Sequence, residues 1–391
     1  MTTLRKRGAT WLLVAALALL SWQLFTWGRG VSIAGLMAPG GRANLVVPPG
    51  FSATVYAQGL SGPRFLTFGP DGRLYVAESG KNRIVALHDS RGNGVGDEVR
   101  EFAASVPSPH SVVWHDGKLY AGVPTGVIEL EDRDGDGKAD RRRVLIDDYA
   151  TEGHSTRTVL FLNDGRMLVS VGSSCNVCKE NDPRRASIVV YDGPGEGKKG
   201  ERVFARGLRN AVGLAFEPVT GELWATCNGR DWLGDDLPPD TVDIVHEGDD
   251  FGWPRCNAGD LVDPDFGGPG SCSGVAQPAI KLQAHSAPLG LAFYTGTKFP
   301  PEYRGDLFVA FHGSWNRSVP TGYKVVRVHM QDGKVAGPVE DFATGFANEG
   351  ATRVFGRPVG LAVGPDGALY VSDDRSGFIY RIAYTRAAKE Q

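Results

Sequence analysis

One short pattern returns six times along this 391-residue chain: a turn rich in glycine and aspartate, then an apolar strand that ends in small or polar residues. The copies are GPDGRLYVAES (69–79), WHDGKLYAGVP (114–124), LNDGRMLVSVGS (162–173), PVTGELWATCNG (218–229), YRGDLFVAFHGS (303–314) and GPDGALYVSDD (364–374). Before most turns lies another apolar strand: PRFLTF, PHSVVW, RTVLFL, AVGLAF, LGLAFY or PVGLAV. The repeated unit is therefore strand, turn, strand, and the intervals between copies leave room for two further outer strands. Repeats of four antiparallel strands at this period stand radially around a channel as a β-propeller. Six copies predict an all-β, six-bladed propeller of four-stranded antiparallel blades. No long 3.6-residue periodicity appears after residue 30, which argues against a doubly wound α/β fold. Phe51–Ala57 (FSATVYA) precedes the first repeat without partners of its own and is expected to complete the sixth blade beside GFIYRIAY (377–384). Such closure removes exposed edges.

The N-terminus reads Arg5-Lys6-Arg7 and then an almost unbroken apolar run from Ala9 to Trp27. A positive flank ahead of such a run is an export signal, and a hydrophobic helix is expected there. The run is longer than the usual core of a cleaved signal peptide and approaches the ~20 residues that span a bilayer. Cleavage at Ser32-Ile33-Ala34 and retention as an inner-membrane anchor both remain open. Residues 1–40 are assigned to this segment and a linker, and 41–391 to the propeller, on the periplasmic or extracytoplasmic side. The formal charge of −3 suggests neither nucleic acid nor an anionic membrane surface as a partner. A small molecule is expected instead.

Export makes the five cysteines readable, because disulfides persist outside the cytoplasm. Cys256 and Cys272 flank a Gly/Pro/Asp-rich loop and are expected to pair; Cys175 and Cys178 could close a tight bridge of their own. Lys179 follows Cys178 where covalent haem attachment requires His, so that motif is absent. Cys227 is left over, expected to be a small buried residue in a strand.

Propellers bind ligands on their axis, where each blade contributes residues from the loop leading into its innermost strand. Blade by blade that position gives Arg64, His110, His154 with Arg157, Arg209 with Asn210, His285 and Arg357. A ring of Arg and His suits a small polyanion, since the guanidinium fork holds carboxylates bidentately and keeps its charge. Axial carboxylates look scarce, with only Asn210 and Asn228 as oxygen-bearing candidates.

GHSTRTVLFLNDGRMLVSVG, GLRNAVGLAFEPVTGELWAT followed by DIVHEGDDFGWP, AFHGSWNR, and GRPVGLAVGPDGALYVSD resemble the L-sorbosone/soluble glucose dehydrogenase family of quinoproteins over about residues 45–385. The resemblance implies a six-bladed propeller that uses pyrroloquinoline quinone (PQQ) with calcium. PQQ carries three carboxylates, which accounts for a ring of arginines. By this resemblance His154 is the general base that takes the sugar hydroxyl proton while hydride passes to the quinone, and an imidazole near its ordinary pKa of about 6.5 could do so. Arg209 and Asn210 are implied to hold the cofactor and Arg357 to pair with a carboxylate. The loop CNGRD (227–231) is where calcium would take backbone carbonyls, from Gly229 and Arg230, oxygen ligands of the kind the ion prefers.

The chain also departs from the family. Gly229-Arg230 stands where soluble glucose dehydrogenases have Gly-Pro, and Phe355-Gly-Arg357 where they have Arg-x-Arg. No lysine occupies the cofactor position of the fifth blade; His312 or Arg317 is expected to substitute. These departures point toward the sorbosone branch and away from glucose. With no haem motif, electrons are expected to leave to a separate carrier, a cytochrome or a membrane quinone. A calcium-dependent lactonase and a non-catalytic binding propeller are the competing readings. Separately, Asp132, Asp134, Asp136 and Asp140 have the alternate-oxygen spacing of a calcium loop, but Arg143 stands where an EF-hand has its bidentate Glu, and a degenerate echo spans Asp89–Asp97. Both read first as Asx/Gly-rich turns, the first of them a possible metal loop.

Overall fold

The computed structural model of the protein describes residues 44–385. The expected N-terminal helix, its cleavage or anchoring, lies outside these residues; among the described ones no helix is long and apolar enough to cross a membrane. Six four-stranded antiparallel sheets succeed one another: 63–103, 111–146, 159–206, 211–281, 288–343, and 358–384 with Phe51–Ala57. These are blades 1 to 6 of the propeller that the repeat predicts. The ring closes as expected, with Phe51 opposite Tyr384 and Val55 opposite Tyr380, so the first strand among the described residues is the outermost strand of the last blade.

The first strand of each blade lies innermost, and these strands pack against one another around the axis. The recurrent glycine of AVGLAF and PLGLAF makes this possible. A Cβ on Gly213 would meet the Leu289 carbonyl at 2.2 Å, and one on Gly290 the Val359 carbonyl at 2.5 Å. No side chain fits where two backbones approach so closely. Hydroxyls on neighbouring strands then stitch blade to blade: Thr226 Oγ1 donates to the Leu289 carbonyl at 2.7 Å, and Ser111 Oγ to the Arg157 carbonyl at 2.9 Å.

Between blades the alternate strand residues interlock as separate hydrophobic layers, for example Leu168, Ile188 and Phe204 of blade 3 against Leu214 and Leu223 of blade 4. On the axis itself Val212, Leu289 and Val359 meet with Phe65 against them and plug the channel. This apolar plug is the floor on which a polar mouth is built.

Blade 4 departs from the simple repeat. Its third strand, Thr241–Val245, pairs with Ile280–Lys281 only after a long excursion containing a small hairpin, Cys256–Asn257 with Leu261–Val262. The expected Cys256–Cys272 disulfide closes that excursion, and Cys175–Cys178 closes a second, tighter loop after blade 3's second strand. Cys227 is free and buried.

Candidate functional site

Above the plug lies a cavity of about 240 Å³, floored by Val212 and Leu289. Eight of the residues singled out in the sequence line it: Arg64, His154, Arg209, Asn210, Asn228, His285, His312 and Arg357, together with Gly229. His110, Arg157 and Arg317 do not, nor does Arg230. His110 is buried behind Arg64, whose Nε points at His110 Nδ1 at 3.4 Å. Arg157 is fully buried and its Nη1 and Nη2 donate to the carbonyls of Ala150, His154 and Thr156, so it braces the loop that carries His154. Arg317 points its Nη1 at the Asp235 carbonyl and its Nη2 at Asp236, tying two rim loops together. The two arginines found backbone or side-chain acceptors nearer than the axis, and His110 sits neutral behind Arg64.

His154 is held through one nitrogen. Its Nδ1 lies 3.1 Å from the Ser173 carbonyl and 3.0 Å from Ser173 Oγ. That hydroxyl already donates to the Cys175 carbonyl at 2.7 Å, so both partners of Nδ1 act as acceptors. Nδ1 therefore carries the proton, and Nε2, with no hydrogen bond among the described residues, keeps its lone pair. The imidazole does not hold the ordinary pKa expected from sequence. Burial first, and then the Arg209 charge, lower it to about 4. Arg185, which sequence reading missed, adds a further cation; its guanidinium donates to the Gly172 carbonyl at 3.0 Å and to Glu152 O at 2.7 Å.

Arg209 is clamped by a residue inside the small disulfide loop. Its Nε donates to the Asn176 carbonyl at 2.9 Å and its Nη2 to Asn176 Oδ1 at 3.0 Å and Asp231 Oδ2 at 2.9 Å, while Nη1 donates to the Gly229 carbonyl at 2.7 Å. The Asn176 amide in turn pairs with the backbone of Asp231, accepting its N–H at 2.7 Å and donating to its carbonyl at 3.1 Å. One asparagine thus fixes the cation, the acid and the CNGRD loop relative to one another.

The opposite wall is organised by Asp374. It receives Arg64 Nη1 at 2.5 Å and His312 Nε2 at 3.0 Å. Burial lowers the His312 pKa to about 4 even though Asp374 raises it. Arg357 donates to the carbonyls of His312 at 3.0 Å and Gly313 at 2.9 Å and forms no ion pair among the described residues. It is the cation left open for an anionic ligand.

Carboxylates are not scarce here, which corrects the expectation from sequence. Asp231 and Asp240 line the cavity beside Gly229 and Asn228. Asp240 accepts the N–H groups of Gly229 at 2.8 Å and Ala287 at 2.9 Å, yet burial pushes its pKa up to about 6. Arg230 is not among the lining residues; its guanidinium is buried against Asp263 at 2.7 Å and reaches Asp265 at 3.0 Å. The signal for these acids was available. In an antiparallel pair the end of the second strand lies beside the start of the first, as Ala211 opposes Cys227 and Pro358 opposes Asp373. The residues after each second strand, Asn228–Asp231, His312 and Asp374, therefore share the mouth with those before each first strand.

The donor set fits both groups implied by the resemblance. Asn210 Oδ1 and Asn228 Oδ1 are buried acceptors without a hydrogen-bond partner, and such atoms are costly to leave so. Asn228, the Gly229 carbonyl, Asp231 and Asp240 are oxygen donors lining one cavity, of the kind calcium takes, with Arg209 already donating to Gly229 and Asp231. Arg357, with Arg64 and Arg209 on either side, suits a compact polyanion.

The TrAA12-like family model matches residues 45–256 and 269–385 of this chain. The chain belongs to the TrAA12-like family. A relative from Coprinopsis cinerea, a pyrroloquinoline quinone-dependent pyranose dehydrogenase, is 29% identical over 88% of this chain and 55% of its own length, so the chain spans about half of that protein. A pyrroloquinoline quinone-dependent sugar dehydrogenase of Hypocrea jecorina is 25% identical over 86% of this chain and 88% of its own. The holo form of the PQQ domain of the Coprinopsis cinerea pyranose dehydrogenase superposes with a TM-score of 0.74 at 25% identity, covering 87% of this chain and 97% of that one. This TrAA12-like chain shares its propeller with that domain, in accord with the quinoprotein resemblance.

The acidic turn on blade 2 is separate from the cavity. Carboxylate oxygens of Asp132, Asp134 and Asp136 lie within 4.8 Å of one another. Asp132 accepts the N–H groups of Gly135 at 2.8 Å and Gly137 at 2.9 Å, and Asp140 that of Arg133 at 2.8 Å. These bonds are what an Asx/Gly-rich turn uses.

Proposed function

We propose that this protein oxidises an aldose or sorbosone-type sugar with PQQ and calcium, His154 acting as the general base. The observation that carries the reading is the state of His154: neutral above about pH 4, its proton locked on Nδ1, and its Nε2 lone pair free in a cavity lined by arginines. Arg64, Arg209, Asn210 and Arg357 would hold the cofactor, and Asn228, the Gly229 carbonyl, Asp231 and Asp240 the calcium. When bound, PQQ supplies the two-electron acceptor. His154 Nε2 takes the hydroxyl proton, and Ser173 orients the ring by accepting from Nδ1. Burial, and then the Arg209 charge, keep the imidazole neutral and ready to accept. Val212 and Leu289 close the floor and exclude water from below. Electrons then leave to a separate carrier outside the cytoplasm, a cytochrome or a membrane quinone, with the N-terminal apolar run as export signal or anchor.

Asp231 and Asp240 also suit a calcium-dependent lactonase, the second reading. Three arginines on the same cavity and the kinship to PQQ-dependent dehydrogenases favour the first. Titration with PQQ and calcium decides. Sugar-dependent dye reduction, abolished by a calcium chelator, is expected; no change in the PQQ spectrum, or lactone hydrolysis with calcium alone, overturns it.

A further inference from the structure

Two large indoles stand exposed together at the rim of the cavity. Trp232 is 66% exposed and Trp315 65%, and their rings meet at 5.1 Å, nearly perpendicular at 86°. Trp315 itself lines the cavity. Exposed tryptophans are uncommon without a partner, because the side chain is mostly apolar surface.

The pair is built rather than incidental. Trp232 follows blade 4's second strand and Trp315 follows blade 5's, so they come from different blades. Arg317 fastens the two loops by donating to the Asp235 carbonyl and to Asp236 Oδ1 at 3.2 Å; the Ser318 N–H donates to Asp235 Oδ1 at 3.0 Å. Trp232 adopts φ +71°, a left-handed backbone that bulky residues rarely accept. Strain of this kind persists where surrounding contacts hold it in place, and it concentrates at ligand clamps. Next to the indoles, Asn316 lines the cavity with both amide atoms unpartnered and closed off from solvent. Leaving a donor and an acceptor unpaired is costly, and turning the side chain onto a ligand would recover both bonds.

We infer that Trp232, Trp315 and Asn316 form a second sugar subsite at the rim of the reaction cavity, so that the substrate is the end of a saccharide chain and not a free monosaccharide. This rests on the sugar-oxidising reading above. A pyranose ring presents C–H groups on its faces, which pack on the electron-rich face of an indole. It presents hydroxyls on its edge, each both donor and acceptor, which match an unpaired amide. A protein partner would gain from the indoles but has no particular use for Asn316 at the cavity wall.

The test measures binding of glucose and of the maltose and cellobiose series, one to four rings, by calorimetry on the protein without PQQ and again with PQQ and calcium. Expected is a Kd about three- to tenfold lower for two rings than for one. Trp232→Ala and Trp315→Ala each erase that gain, Trp315→Phe keeps part of it, and Asn316→Ala weakens it. No gain with length in either series overturns the subsite, as does a gain that survives both tryptophan substitutions. A third outcome also overturns it: saccharide binding is untouched, but the variants need more cytochrome c for half-maximal turnover, which makes the face a dock for the electron carrier. The cofactor-free arm separates the two readings, since absence of sugar-dependent dye reduction counts against oxidation while length-dependent binding stands or falls by itself.

Discussion

His154 and His312 sit on opposite walls of one cavity, and burial holds both near pH 4 beside different charged neighbours. On the His154 wall every full charge that acts on the imidazole is a cation, Arg209, Arg185 and Arg157, and its hydrogen-bond partners are neutral. On the His312 wall burial, helped by the Arg357 and Arg64 charges, overcomes Asp374, which pulls the other way. His312 must carry its proton on Nε2 to reach the carboxylate, whereas His154 carries it on Nδ1. Similar pKa values thus conceal unlike roles. One imidazole offers a lone pair beside cations, suited to accepting a proton; the other is a link in the Arg64–Asp374–His312 chain that sets the charge of an anion site.

The largest effect that could break this contrast is on turnover. His154→Ala is expected to lower kcat of the PQQ- and calcium-loaded protein by roughly 10²–10⁴ while cofactor retention, read by gel filtration and absorbance, persists. His312→Ala should act mainly on cofactor retention. Equal losses of kcat in the two variants would erase the distinction.

Acid sharpens it next. Both histidines have folded pKa values below the ordinary 6.5, so the unfolded chain binds their protons first. Their contribution to stability is therefore complete above about pH 6.5 and falls as pH drops toward 4, while the raised pKa of Asp240 works the other way over the same window. Thermal unfolding against pH should show the histidine contribution as a difference: each alanine variant loses less stability than the parent as pH falls from about 6.5 to 4. The His154-dependent rate should stay level above about pH 5 and decline below 4.

A smaller effect is expected at Asp374. Asp374→Asn removes the charge that offsets Arg64 and lifts His312, and breaking so enclosed a pair should cost on the order of 3 kcal/mol, read as a lower Tm. Added PQQ should restore part of it by supplying a carboxylate. A Tm that ignores the cofactor would deny this wall its anion-binding role.

The smallest effect belongs to Asn176. Asn176→Ala unclamps Arg209 and Asp231 without touching His154, and about a tenfold loss in kcat/KM is expected, since precise placement is worth that much or more. Its pH profile should move as well, because the Arg209 charge is what holds the imidazole down after burial. An unchanged profile would mean the clamp serves the fold alone.

The sequence by itself determined the architecture: six strand–turn–strand copies, the closing strand Phe51–Ala57, and the Cys256–Cys272 bridge all follow from local pattern. Each is a property of a few neighbouring residues, alternation, a Gly/Asp turn or a loop flanked by cysteines, and local patterns survive translation into structure. It also named about half of the cavity wall, because one register position recurs in every blade. Only the tertiary structure decided which cations face the cavity and which acids join them. Arg157 and Arg317 carry the same side chain as Arg209 and Arg357, but nearby carbonyls captured them first. Asp374, Asp231 and Asn176 became part of the site through partners up to 310 residues away in the chain, contacts that arise only when the ring closes and the ends of separate blades meet at one mouth.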